Sequence, residues 1–199
     1  MPAGPAGTPR KTVPTVPDDA RLLRLAQRVG RHLLGRGRVL VTAESCTGGW
    51  VARALTDVPG SSRWVDAGFV TYSNAAKMRD LGVPAGTLER FGAVSEQTAR
   101  AMARGALRRA NAGAKARASA QGRGGARQAG ADVAVAITGI AGPDGGTAAK
   151  PVGTVWFCTA VRVGRQVRLS SSIKHFRGNR EAVRRQSVGY ALRLVLLIQ

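Results

Sequence analysis

The run Asp132-Val133-Ala134-Val135-Ala136-Ile137 constrains this chain most. Successive side chains of a strand point to opposite faces, so an apolar stretch without alternation is nonpolar on both. Such a strand is stable only in a sheet covered on both sides, as in α/β domains. A shorter apolar run, Val39-Leu40-Val41, repeats the pattern earlier in the chain. Each run leads into a turn rich in small residues. The earlier is Ala43-Glu44-Ser45-Cys46-Thr47-Gly48-Gly49-Trp50, the later Thr138-Gly139-Ile140-Ala141-Gly142-Pro143-Asp144-Gly145-Gly146. Open α/β sheets bind ligands beyond their strand C-termini, and the helix N-termini found there favour negative charge. Two such turns predict a ligand site at that end of the sheet.

The remaining pattern agrees with this class. Asp18 or Asp19 caps a helix whose apolar positions are Leu22, Leu25, Ala26, Val29 and Leu33, and Gly35 and Gly37 end it. A strand over 38–43 precedes the serine turn, and Trp50, Val51, Ala54 and Leu55 give the next helix a buried face until Pro59-Gly60. A strand over 67–72 exits through Ser73-Asn74-Ala75-Ala76-Lys77. Ser95 caps a helix with the stripe Ala99, Met102, Ala103, Ala106 and Ala110. Strands over 153–161 and 166–172 form a hairpin turning at Val163-Gly164, and Asn179 caps a last helix carrying Val183, Ser187, Tyr190, Ala191, Leu194 and Ile198. Strands alternating with helices, with one antiparallel hairpin, predict a layered α/β domain with a mixed sheet.

At 199 residues the chain suits one domain, expected over 18–199. Residues 1–17 are rich in Pro and Gly and lack an apolar signal core, so they read as a disordered leader. Residues 111–130 contain no large apolar side chain and read as a disordered insertion. The longest C-terminal apolar run, Leu194-Val195-Leu196-Leu197-Ile198, is too short to span a bilayer. Cys46 and Cys158 form no disulfide framework and have no metal-ligand spacing, and the cytoplasm is the expected location. The net charge of +20 is concentrated. Seven basic residues and no acid lie over 104–127, and eight lie over 162–185 against Glu181 alone. A basic surface attracts anions, including phosphorylated metabolites and nucleic acid, although solvated surface arginines account for most of this charge.

Three chemically capable side chains fall near strand ends: Ser45, Tyr72 and Lys77. Serine needs a neighbouring base. His32 lies within the first helix and His175 in a basic stretch, which argues against a Ser-His-Asp arrangement. A desolvated lysine loses its proton near neutrality and then serves as a base. From the residues alone, Lys77 reads first as an ordinary solvated lysine, with the base as the alternative. Tyr72 either relays a proton or packs. Glu44 either anchors a ligand hydroxyl or meets a helix terminus. Amides at Thr138 and Gly139 suit a phosphate or an oxyanion, and Arg180 suits a phosphate.

Taken together, Thr42-Ala43-Glu44-Ser45-Cys46-Thr47-Gly48-Gly49, Pro59-Gly60-Ser61-Ser62, Phe69-Val70-Thr71-Tyr72-Ser73-Asn74 with Lys77, Gly92-Ala93-Val94-Ser95-Glu96, the glycine-rich turn and Lys150-Pro151-Val152-Gly153-Thr154-Val155 resemble the CinA C-terminal domain family. The resemblance implies a three-layer α/β/α sandwich with a mixed, mostly parallel sheet. It implies an amidase that converts nicotinamide mononucleotide to nicotinate mononucleotide and ammonia in pyridine-nucleotide salvage. Ser45, Lys77 and Tyr72 are then catalytic, and Glu44, Thr47, Gly48, Thr138, Gly139, Ala141, Gly142 and Arg180 bind substrate. Cofactors are not required, and a homo-oligomer is expected. Two other readings compete: a binding module that kept the pocket without turnover, and nonspecific nucleic-acid association through the basic insertion.

Overall fold

A computed structural model describes residues 16–121 and 130–199, without side chains over 113–121. Helix α1 (Asp19–Gly35) leads to strand β1 (Leu40–Glu44) and helix α2 (Trp50–Thr56). Strand β2 (Val65–Val70) follows, then three helices, α3 (Asn74–Leu81), α4 (Ala85–Phe91) and α5 (Glu96–Gln121). Strands β3 (Val133–Gly139), β4 (Thr154–Val163) and β5 (Gln166–His175) precede the last helix, α6 (Arg180–Leu196).

The sheet order is β2-β1-β3-β4-β5. Strand β1 pairs in parallel with β2 and β3, while β4 is antiparallel to both β3 and β5. Four strands therefore point one way and β4 alone points back, so the sheet is mixed and mostly parallel. Its two faces carry separate cores. Val133, Val135 and Ile137 of β3 pack with α1, α2 and α6, whereas Ala134 and Ala136 face α3, α4 and α5. The unbroken apolar run of β3 thus feeds both cores, large residues on one face and small ones on the other. The small face lets α5 lie close to the sheet through Ala99, Ala103 and Ala106.

Caps follow the sequence closely. Asp18 accepts from the Arg21 amide, Ser73 from Ala76, Ser95 from Thr98 and Asn179 from Ala182. Helix α3 carries little apolar periodicity, α4 is only seven residues long, and neither was expected. Lys77, placed by the sequence on a strand exit, lies one turn into α3.

The predicted leader and insertion need boundary changes. Residues 1–15 lie outside the described residues, but Pro17 is buried and packs near Gly189 of α6. Helix α5 continues through Gln121, so the first half of the segment expected to be disordered is helical. Its alanines and arginines have high helix propensity and extend a helix already anchored in the core, with no apolar face needed. Residues 122–129 lie outside the described residues. Asn111 donates to the carbonyls of Leu107 and Ala131, which brings the two ends of the insertion together. Among the described residues, no helix is long and apolar enough to cross a membrane.

Candidate active site

Strand β1 delivers Ser45 to the C-terminal end of the sheet, where its amide donates to the Ile137 carbonyl of β3. Beside it, the Thr71 amide donates to the Glu44 carbonyl, extending the β1–β2 pairing past the strand ends. The chain then turns into α3, whose first turn points Lys77 back toward the serine. Lys77 is only 1% exposed, and its Nζ lies 3.0 Å from Ser45 Oγ, 2.8 Å from the Thr71 carbonyl and 3.2 Å from the Tyr72 carbonyl. Burial lowers its pKa from the ordinary 10.5 to about 8, partly opposed by Cys46. Nζ donates to all three oxygens, and an amine that has lost its proton keeps two N–H groups for the carbonyls.

A cavity of about 250 Å³ opens over this pair, lined also by Tyr72, residues 138–142 and Arg180. Arg180 opens α6 and spans the cavity mouth, donating to the Gly142 carbonyl and the Tyr72 hydroxyl, both at 2.8 Å. Thr138 donates to the Ala93 carbonyl, tying the segment before α5 to the glycine-rich turn. Gly142 has a φ of +81°, and a Cβ there would meet Val152. The sequence-predicted Ser45, Lys77, Tyr72, Thr138, Gly139, Ala141, Gly142 and Arg180 therefore converge on one cavity.

Glu44, Thr47 and Gly48 do not line it. The Glu44 carboxylate is fully buried and accepts from the amides of Val51 and Ala52 and from the Thr42 hydroxyl. Of the two roles the sequence left open, the geometry selects the helix terminus, since these amides open α2. Thr47 is buried, and its Oγ1 has no partner among the described residues. Gly48 lines an adjoining cleft of about 660 Å³ with Trp50, Arg53, Arg180 and Arg184. That cleft meets the Ser45 cavity at Arg180, and its described lining holds guanidinium groups and Glu181 but no serine, cysteine or lysine. Neither histidine reaches the site. His32 Nε2 lies 2.8 Å from the Ile198 carbonyl, and His175 Nδ1 lies 3.2 Å from Thr154 Oγ1.

Arg184 was missed by sequence reasoning. It donates to the carbonyls of Cys46 at 3.2 Å and Thr47 at 2.8 Å, and it stacks on Trp50 at 5.2 Å. The Ser45 carbonyl accepts from the Gly48 amide. A peptide N–H points opposite to the carbonyl of the preceding residue, so the Gly48 contact on the Ser45 carbonyl sets the direction of the Cys46 amide, and the Arg184 contact on the Cys46 carbonyl sets that of Thr47. A Cβ on Gly48 would lie 3.2 Å from the Arg184 guanidinium, at a φ of +61°. The available signal was the helical spacing of Arg180 and Arg184, which places both on one face of α6. Cys46, next to the nucleophile, has its thiol pushed up to about 12 by burial, so it stays protonated.

The model of the CinA C-terminal domain matches residues 22–116 and 112–198, nearly the whole described chain. This chain belongs to the CinA C-terminal domain family. It is 47% identical over 174 residues to the nicotinamide-nucleotide amidohydrolase PncC of Escherichia coli K12, covering 87% of this chain and 92% of that protein. The protein of the same name from Pseudomonas putida is 49% identical over 168 residues, with 84% and 91% covered. Among solved structures, a CinA superfamily protein from Escherichia coli superposes with a TM-score of 0.75 at 35% identity, covering 98% of this chain and all of that one. The competence/damage inducible protein CihA from Agrobacterium tumefaciens gives 0.72 at 43% identity, with 92% and 96% covered.

Proposed function

We propose that this protein is a nicotinamide-nucleotide amidohydrolase that works through a Ser45–Lys77 pair in pyridine-nucleotide salvage. The observation that carries the reading is the buried Lys77 amine, held 3.0 Å from Ser45 Oγ by two backbone carbonyls. The names of the relatives supply the substrate class: they are nicotinamide-nucleotide amidohydrolases.

Neutral Lys77 takes the Ser45 proton as Oγ attacks the carboxamide carbon. The oxyanion is received by the Cys46 and Thr47 amides, which are directed by the Gly48 amide on the Ser45 carbonyl and by Arg184 on the Cys46 carbonyl. The Lys77 ammonium then protonates the departing nitrogen, and ammonia leaves an ester on Ser45. Water enters, gives its proton to Lys77 and attacks the ester. Lys77 returns a proton to Ser45 Oγ as nicotinate mononucleotide is released. Arg180 uses two of its donors on Gly142 and Tyr72 and keeps the rest for the substrate phosphate at the cavity mouth.

Ammonia release from nicotinamide mononucleotide tests this. Ser45→Ala and Lys77→Arg should each lose at least about a thousandfold in kcat, because arginine never becomes a neutral base. Full activity in Lys77→Arg would refute the base assignment. Tight nucleotide binding by the wild-type protein without ammonia release would favour the binding-module reading.

A further inference from the structure

The two basic stretches of the sequence meet in three dimensions, at a place the amidase site does not use. Arg104 and Arg108 lie one turn apart on α5, while Arg162 ends β4 and Arg165 sits in the hairpin turn. These four guanidinium groups line one cleft of about 730 Å³, with Leu107 and Val167 in its wall. None of the described residues lining it is acidic. The cleft lies at the opposite end of the sheet from Ser45. Arg162 follows Val161, which pairs with the first residue of β3, whereas Glu44 pairs with Ile137 near its end.

The arginines are differently committed. Arg108 donates to the Leu81 carbonyl and Arg162 to the Ala131 carbonyl, which fixes two of them in place. Arg104 and Arg165 are exposed and make no hydrogen bond or ion pair with a described residue. Four like charges in one concavity repel one another unless an anion enters. Planar guanidinium forks match phosphate oxygens, and a cleft of this volume suits a small molecule. None of the described residues lining it is aromatic, so they offer no stacking platform for single-stranded nucleic acid.

We propose that this cleft is a binding site for one linear polyphosphate chain, carried by a nucleoside triphosphate or present as the inorganic ion. The two fixed arginines hold the chain, and the two free ones close on it.

Calorimetric titration of the full-length protein with inorganic tripolyphosphate and with ATP, at physiological ionic strength, tests the proposal. One ion should bind per cleft. The pair Arg104→Ala and Arg165→Ala should weaken it at least about tenfold, since each loses charge-assisted hydrogen bonds. Neither residue has a hydrogen-bond or ion-pair partner among the described residues, so the fold should survive. The pair Arg24→Ala and Arg31→Ala on α1 removes the same charge elsewhere and should change affinity less than about twofold. Tighter binding of ATP identifies the nucleotide as the source, through contact with Leu107 and Val167. Equal binding identifies the phosphate chain alone, and either result supports the site. Equal weakening by both pairs would mean a diffuse field and overturn the proposal. So would loss of the ion in Arg180→Ala, which would place it at the Ser45 cavity, or tighter binding of a short DNA duplex than of either probe.

Discussion

Replacing Lys77 with Met should separate what the buried amine does for chemistry from what it costs in stability. The wild-type pKa falls from 10.5 to about 8 on folding. A lowered lysine pKa means that the folded state binds fewer protons than the unfolded chain between those two values. Stability therefore rises with pH across that window. Below about pH 8 both states are protonated and the full cost is present, about 3 kcal/mol. Lys77→Met removes the titrating group but leaves the Thr71 and Tyr72 carbonyls without their donor, a pH-independent loss of about 2 kcal/mol. The variant should therefore match or slightly exceed the wild type in stability near pH 7. It should fall behind by about 2 kcal/mol as pH approaches 10.5. Urea unfolding of both proteins at several pH values reads this difference, and the titration of other groups cancels between them. The companion readout is kcat/KM of the wild type, which should fall about tenfold per pH unit below about 8. Stability curves that run parallel at every pH would show that Lys77 titrates as an ordinary lysine and would remove the physical basis for its role as base.

Three further outcomes follow from the same geometry. Arg184→Met should lower kcat about a hundredfold while KM changes little, because it frees the Cys46 carbonyl, whose peptide carries the Thr47 amide; steady-state kinetics with matching circular dichroism checks this. Glu44→Gln should cost about 1–3 kcal/mol in urea unfolding with KM unchanged, since the carboxylate serves α2; a tenfold rise in KM would restore the ligand-hydroxyl role. Gly105→Ala should lower stability by about 1–3 kcal/mol, measured by thermal melting, because its Cβ would collide with the Leu81 carbonyl at the end of α3.

Much of the fold was readable because its signals are local. Asp18, Ser95 and Asn179 cap the helices they precede, and the hairpin turns at Gly164-Arg165, one residue beyond the expected Val163-Gly164. The non-alternating run over 133–137 required a sheet covered on both faces, and both cores draw on it. Helices α3 and α4 escaped notice because both are short and α3 carries little apolar periodicity, although Ser73 and Gly82 bracket α3 with an N-cap and a left-handed C-cap. The helical part of the insertion escaped because apolar content measures what a segment can bury, not whether an anchored helix can run on.

The order of residues along the chain decided where strands end and helices begin, and so placed a serine and a glycine-rich turn at the C-terminal ends of two strands. It left open whether Lys77 is a surface lysine or a base, and whether Glu44 serves a ligand or a helix. Those answers depend on partners far away in the chain. Ser45 lies 32 residues from Lys77, and Arg184 lies 138 from the Cys46 carbonyl it holds. Proton affinity is set by how much water and charge surround a group, and only the packed layers fix that.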